Sequence, residues 1–310
     1  MAIKHQTHSV ESEHAGRIDR IVQLMTQRSR ADIRGMFDHD CVFLNAQPCP
    51  DAGTLVAAGD QVEVKYDPHT RYKEKPRPPQ DRAYRLVYED DALIVVDKAA
   101  HVLTVPTDHG ETNTLIDAVS RYLSHQRRQP KAYAVQRLDR GTSGLLVFGK
   151  SRPVAEQLQD QFRQRKPDRE YVALVAGTVE PASGTFESQM ATNQGLQRYS
   201  TGNWDEEAEH AITHYRTERL VRGATFVRVR LETGRRNQIR VHFAEAGHPV
   251  LGDPRYETKL AQHRNWTAAR LALHAAVLGF SQPVTGQLLR FESPLPQEFV
   301  KFLGDGKPTA

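Results

Sequence analysis

From Ile18 the apolar residues Ile18, Ile21, Val22 and Met25 recur at offsets of 0, 3, 4 and 7, the spacing of one helix face. Ser29-Arg30-Ala31-Asp32 is a capping pattern that opens a second helix, with Ile33, Met36 and Phe37 on its inner side. A strand at Cys41–Leu44 follows, then a turn at Asn45–Gln47. A second turn at Gly59-Asp60 leads into Gln61–Lys65, which alternates with period two. Two short helices and a small hairpin predict a compact unit over 17–66 with a thin core. Residues 1–15 are polar and lack periodicity, so a disordered arm is expected up to residue 16.

Asp67–Asp81 holds Pro68, Pro76, Pro78 and Pro79 and no apolar period, which predicts a semi-extended linker over 67–83. Beyond it, apolar runs predict strands at Arg85–Tyr88, Leu93–Val96, Leu145–Phe148 and Tyr171–Val175. Others are expected at Thr213–Glu218, Thr225–Leu231, Leu273–Phe280 and Gln287–Phe291. Helical spacing marks Thr114–Ser124, Pro153–Arg163 and Arg236–Ala246, and 304–310 is a tail. Adjacent strands with few helices and no strand–helix rhythm predict an α+β domain over 84–303. It would be built on a mainly antiparallel mixed sheet and preceded by the small α/β unit.

Composition narrows the class without changing that picture. The 310 residues are 38% hydrophobic and 26% charged, as in an ordinary globular chain. No run approaches the ~18 apolar residues of a membrane span. The first ten residues lack an apolar signal core. Two cysteines, Cys41 and Cys49, cannot build a disulfide framework or a cysteine-rich zinc site. A membrane protein, a secreted mini-scaffold and a fibrous protein are excluded, and a cytoplasmic location is the expectation. The net charge is only +4, but the window Lys65–Arg85 carries that same balance by itself, with seven basic residues against three acidic ones. Such a stretch is either a solvated linker or a polyanion-binding segment.

Several stock motifs fail on chemistry. Gly144–Ser151 fits the phosphate-loop expression, yet its inner residues Leu145, Leu146, Val147 and Phe148 favour a buried strand over a flexible anion cradle. Gly141-Thr142-Ser143-Gly144 is one residue short of a nucleophile elbow. His210 and His214 lack further ligands, so no metal is expected. Arg137-Leu138-Asp139-Arg140 with Gly141–Gly144 is more informative, for it sets one carboxylate between two arginines in a loop before a buried strand. It reads equally as a site and as a turn that Asp139 caps. Thr233–His242 is either a polar helix face that holds a phosphate or clamps a carboxylate through Arg240, or an exposed basic helix. Tyr171, alone, is a core or edge aromatic.

Taken together, these segments resemble the RluA-type family of pseudouridine synthases. The resemblance rests on Arg137-Leu138-Asp139 with Thr142–Leu146, the Tyr171 strand, and Thr233-Gly234-Arg235 with Gln238–His242. Gly247–Asp253, Leu273-His274-Ala275 and Pro283–Gly286 follow in the family's order, and the match covers about residues 84–303. Residues 17–66 resemble a small RNA-binding domain of ribosomal protein S-four type. The chain departs from the family's pattern at Gln136 and Asn237, where His is usual; both keep hydrogen-bonding ability and lose a potential positive charge.

The resemblance implies an isomerase that flips specific uridines out of structured RNA and needs no cofactor. It breaks the bond from uracil nitrogen to the ribose anomeric carbon and rejoins the base through a ring carbon. Asp139 would act as nucleophile or as base on a sugar proton. Arg240 would hold Asp139 charged, and Tyr171 would stack on the base. Arg137 would fill the vacated stack or hold the flipped backbone, while Arg235 and Arg236 would contact phosphates. The expected partner is ribosomal RNA of the large subunit, with transfer RNA as second choice, and the protein is expected to be a monomer. The rivals are a non-catalytic RNA-binding or ribosome-assembly protein with the same fold, and a phosphate-loop ATPase.

Overall fold

The computed structural model describes residues 3–49, 51–73, 81–126, 131–202 and 208–304. The chain divides into two compact units, Met1–Pro79 and Gln80–Ala310.

The first unit contains β1 (Lys4–Ser9), β2 (Gly16–Arg17), α1 (Ile18–Thr26), α2 (Arg30–Asp38), β3 (Val42–Leu44), β4 (Gln47–Pro48), β5 (Leu55–Val56) and β6 (Gln61–Tyr66). Ile18, Ile21 and Val22 of α1 pack with Ile33, Met36 and Phe37 of α2 over Val62 and Val64 of β6. The Ser29 hydroxyl accepts the Asp32 N–H at 3.2 Å, the cap its pattern predicts. The expected disordered arm instead contains a strand: β1 pairs antiparallel with β6 from Lys4↔Tyr66 to Ser9↔Gln61. Its side chains are polar and main-chain bonds hold it, so hydropathy gave no sign of it. Asp67–Lys73, expected as linker, belongs to this unit. The Arg28 guanidinium donates to the carbonyls of Asp67, Pro68 and Thr70 at 3.3, 2.6 and 2.8 Å, and Tyr72 N donates to Asp32 Oδ1 at 2.7 Å. Pro76, Pro78 and Pro79, with Lys75 and Arg77, lie outside the described residues, as do 305–310 of the expected tail.

The second unit runs β7 (Tyr84–Glu89), β8 (Leu93–Lys98), α3 (Leu115–Gln126), β9 (Tyr133–Ala134), β10 (Ser143–Gly149), α4 (Arg152–Arg163) and β11 (Asp168–Ala176). It continues with β12 (Ser183–Thr192), β13 (Arg198–Thr201), β14 (Glu209–Val221), β15 (Ala224–Leu231), α5 (Gln238–Glu245), β16 (Leu273–Ser281), β17 (Leu288–Glu292) and α6 (Gln297–Leu303). Among the described residues these strands make one eleven-stranded sheet, ordered β13-β12-β14-β15-β11-β16-β10-β8-β7, with β17 beside β16 and β9 beside β10. Every pairing in it is antiparallel except β10 with β16.

Both faces of the sheet's middle are covered. In β10, Leu146 and Phe148 join the larger core with Leu115, Val119 and Leu123 of α3, while Leu145 and Val147 pack with Leu158 of α4. A strand buried on both sides reads as an unbroken apolar run, which is why Leu145–Phe148 stands out in the sequence. The same burial rules out a phosphate loop there. Lys150, which follows, donates to Glu89 Oε1 and the Asp90 carbonyl, both at 2.5 Å.

Two differences from the expected elements matter. The hairpin β12–β13 lacks a strong apolar alternation and was not anticipated. The helix expected from Arg236 starts at Gln238, because Asn237 takes a left-handed backbone (φ 58°). No exposed basic face results, since Gln238 through Ala244 are all buried.

The register sets the site. Gly144 of β10 stands opposite Ala275 of β16, and Ala275 stands opposite Tyr171 of β11. The loop before β10 is therefore only two strands from Tyr171. Gly144 has φ 116°, and a Cβ there would run into the Ala275 backbone. Gly144→Ala is expected to destabilise the protein by about 3 kcal/mol or more, measured by urea unfolding, because strain and a backbone collision act together.

Candidate active site

The Asp139 loop is braced from β8 and the segment after it. The Thr104 hydroxyl donates to the Leu138 carbonyl at 2.9 Å and accepts the Leu138 N–H at 3.1 Å, clasping the residue beside Asp139. The Arg140 Nε donates to the His101 carbonyl at 3.2 Å. Lys98, only 1% exposed, donates from Nζ to the carbonyls of Ala99 and Val102 at 2.8 Å and of Arg140 at 3.4 Å. Burial, with the nearby Arg270 charge, pushes the Lys98 amine down to about 7, against the pull of Asp139. Neither Lys98 nor Thr104 was singled out in the sequence. A lysine closing a buried strand, as in Val95-Val96-Asp97-Lys98, is the signal that was there to use.

Arg240 reaches this loop from α5, 101 positions downstream. Its Nη1 donates to Asp139 Oδ2 at 2.9 Å and to Asn237 Oδ1 at 3.2 Å. Its Nε and Nη2 form a fork on Asp253, at 2.7 and 2.8 Å. Asp253 has a fully buried side chain and also accepts the N–H groups of Arg255 and Tyr256, at 2.8 and 3.2 Å. Burial alone would lower the Arg240 pKa, but the bond to Asp253 and the charges of both aspartates outweigh it and raise the value above the ordinary one. The guanidinium therefore stays charged. Asp253 was quoted for its Gly-Asp context but given no role, and nothing local marks a carboxylate whose partner is thirteen residues away.

The local sequence explains why α5 starts where it does. The Gln238 side chain accepts the Arg235 N–H at 2.9 Å and the Thr233 hydroxyl at 2.8 Å, and donates to the Ile212 carbonyl at 2.9 Å. That staple fixes the turn before the helix. Asn237, at the position of the family's usual His, donates to the Tyr256 hydroxyl at 3.0 Å while accepting from Arg240, so it helps orient the guanidinium.

A recess of about 60 Å³ is lined by Asp139, Tyr171, Arg240, Leu231 and Leu273, which brings the three anticipated residues together. Burial raises the Tyr171 phenol pKa, and the Asp139 charge adds to the rise, so the ring is neutral at ordinary pH. The recess adjoins a cleft of about 800 Å³ that also holds Asp139, lined by six arginines (Arg137, Arg140, Arg236, Arg240, Arg255 and Arg270) and two aspartates. Arg137 is exposed and borders both spaces. Arg236 shares the Leu196 carbonyl with Arg255, at 3.0 and 3.2 Å. Arg235 borders the recess but is turned to Glu209 at 2.9 Å, a carboxylate it shares with Arg198, and to the His210 carbonyl at 3.0 Å. His210 and His214 pair with Glu187 and Glu232, at 2.8 and 2.6 Å. A charged carboxylate in a recess with an apolar wall, beside a neutral phenol and under a basic cleft, is suited to a small polar ring carried by a polyanion.

Two measurable consequences follow for stability. Arg240→Met would leave Asp253 buried and unpaired, so a loss of about 3–5 kcal/mol is expected in urea unfolding. His242 and His274 are each lowered by burial to about 4. The unfolded chain takes up their protons near the ordinary 6.5 and the folded chain does not, so stability is full above 6.5 and is lost as pH falls toward 4. His242→Gln is expected to make that acid slope shallower, read from unfolding free energies at pH 4.5 and 6.5.

The comparisons with known proteins agree with this geometry. The RNA pseudouridylate synthase family matches residues 92–245. Ribosomal large subunit pseudouridine synthase D of Vibrio cholerae is 32% identical over 309 residues, covering 95% of this chain and 93% of that protein. The protein of the same name from Haemophilus influenzae is 31% identical over 307 residues, covering 95% and 92%. Among solved structures, human RNA pseudouridylate synthase domain containing 1 aligns with a TM-score of 0.55 at 25% identity, over 71% of this chain and 86% of that one. Human RNA pseudouridylate synthase domain containing 4, at 22% identity, shares the fold with a TM-score of 0.58, over 70% of this chain and 91% of that one. With such relatives matched over nearly their whole length, the chain belongs to the RluA-type family of RNA pseudouridine synthases.

Proposed function

We propose that the protein converts specific uridines of large-subunit ribosomal RNA to pseudouridine. The observation that carries the reading is the Asp139 carboxylate, bonded at 2.9 Å to a guanidinium and lining a recess with Tyr171. The target RNA is taken from the relatives, which are named for the large ribosomal subunit. The basic cleft supports a polyanionic substrate.

In this reading a uridine leaves the RNA stack and enters the recess, at an unstacking cost of ~a few kcal/mol. Tyr171 packs on the uracil ring. Asp139 acts on the ribose, either by attack at the anomeric carbon or by removing a sugar proton, and the bond from that carbon to the ring nitrogen breaks. The freed uracil turns and a ring carbon bonds to the anomeric carbon, as Asp139 departs from that carbon or returns the sugar proton, and the proton on the ring carbon is lost while the nitrogen regains one. Reactant and product are isomers, so the balance calls for no outside electrons. Arg240 orients Asp139, Arg137 occupies the gap in the stack or holds the flipped backbone, and Arg236 meets phosphate. The first unit serves as a small RNA-binding domain that orients the RNA with little sequence reading.

Asp139→Asn is expected to abolish pseudouridine formation on unmodified large-subunit ribosomal RNA. Affinity for that RNA should stay within about threefold, because one carboxylate contributes little to phosphate binding. Base mapping and filter binding check the two halves; normal turnover by the variant would refute the reading.

A further inference from the structure

Arg270 is a buried cation that the chemistry above does not use. It lies just before β16 and is 8% exposed. Its Nε donates to the Leu271 carbonyl at 3.1 Å, and its Nη2 donates to the Ser143 hydroxyl at 2.6 Å and the Leu273 carbonyl at 3.2 Å. Among the described residues no carboxylate is in ion-pair contact with it; Glu298 and Asp97 act on its charge only from farther off. Of the other buried arginines, Arg240 has Asp139 and Asp253 and Arg198 has Glu209 at 2.7 Å, while Arg169, like Arg270, bonds to carbonyls, those of Leu231 and Glu232. A guanidinium taken from water with no carboxylate in contact is penalised, and three neutral acceptors offset only part of that.

Its position suggests what completes the pairing. Arg270 borders the Asp139 cleft and also a second cleft of about 700 Å³, lined by Arg82, Arg85, Lys98 and His274 together with the carboxylates Asp97 and Glu298. His101, Ala269 and Arg270 are common to both, so the two clefts meet at this guanidinium. The His274 Nε2 in the second cleft's wall is buried and has no hydrogen-bond partner. Two clefts that share this guanidinium suit a strand better than a compact small anion.

We propose that Arg270 anchors a second anion site, which takes a backbone phosphodiester of the RNA strand whose uridine enters beside Asp139. This rests on the reading given under Proposed function and adds to it the path of the strand, across Arg270 into the second cleft. A phosphodiester supplies a negative charge in contact and accepts from Nη1, since Nε and both protons of Nη2 are already bonded within the protein.

Arg270→Gln alone is a poor test, since it also breaks the bonds to Ser143 and Leu273. Ala269 is exposed and borders both clefts. Ala269→Glu therefore sets a carboxylate beside Arg270 without removing a hydrogen bond, and Ala269→Gln adds the same bulk without charge. Filter binding of unmodified large-subunit ribosomal RNA transcripts over a potassium chloride series is the measurement. The Glu variant is expected to bind at least about fivefold more weakly than the Gln variant, with the slope of log affinity on log salt smaller by about one. In an Arg270→Gln background the Glu substitution should cost no more than about twofold further, because both changes remove the same contact. Where that background does not fold, the Glu and Gln comparison decides. Equal binding by the two Ala269 variants, or full additivity with Arg270→Gln, overturns the site while leaving the reaction assignment intact. A wild-type protein that binds this RNA and never isomerises a uridine overturns the reaction assignment instead.

Discussion

The site depends on one guanidinium divided between two aspartates. Asp253 takes the two-pronged side of Arg240 and is itself fixed by two backbone N–H groups, so the arginine cannot rotate away from its post. What remains for Asp139 is a single bond through Oδ2. Among the described residues no protein group donates to its other oxygen. A carboxylate gripped by both oxygens would be a structural ion pair; gripped by one, it is oriented while half of it stays available to a substrate. The division of labour is thus geometric: one aspartate is spent on holding the arginine so that the other can react.

Much of this was legible in the chain, and the exceptions share a cause. Strands buried on both faces, such as β8, β10 and β16, announce themselves because water contacts neither side. The Arg137–Asp139 and Gln238–Arg240 segments could be found because they cluster charge and hydrogen-bonding groups in short windows. What stayed hidden lives in the main chain or in distant partners. Lys4–Ser9 is polar, and its reason for being a strand is the row of backbone groups on β6. Asn237 ends the expected helix early through a backbone angle, not through hydropathy. Asp253, Thr104 and Lys98 acquire meaning only when the loops they hold are brought beside them.

Lys98 shows how tightly these layers are joined. Its ammonium ties the segment after β8 to the carbonyl of Arg140, next to the reactive aspartate. The same burial that makes those bonds strong weakens its hold on a proton, and the charge of Arg270 acts in the same direction. The brace, the buried cation and the aspartate therefore share one electrostatic neighbourhood, and a change in any of them is felt by the others.

The place of β16 has a consequence for how the molecule comes into being. It lies between β10 and β11, which have no hydrogen bonds to each other. It is also made long after both, since translation must proceed past residue 273 before it exists. A growing chain can complete two halves of the sheet but cannot join them. The acidic loop and the aromatic wall become neighbours only when this keystone strand slides into the gap.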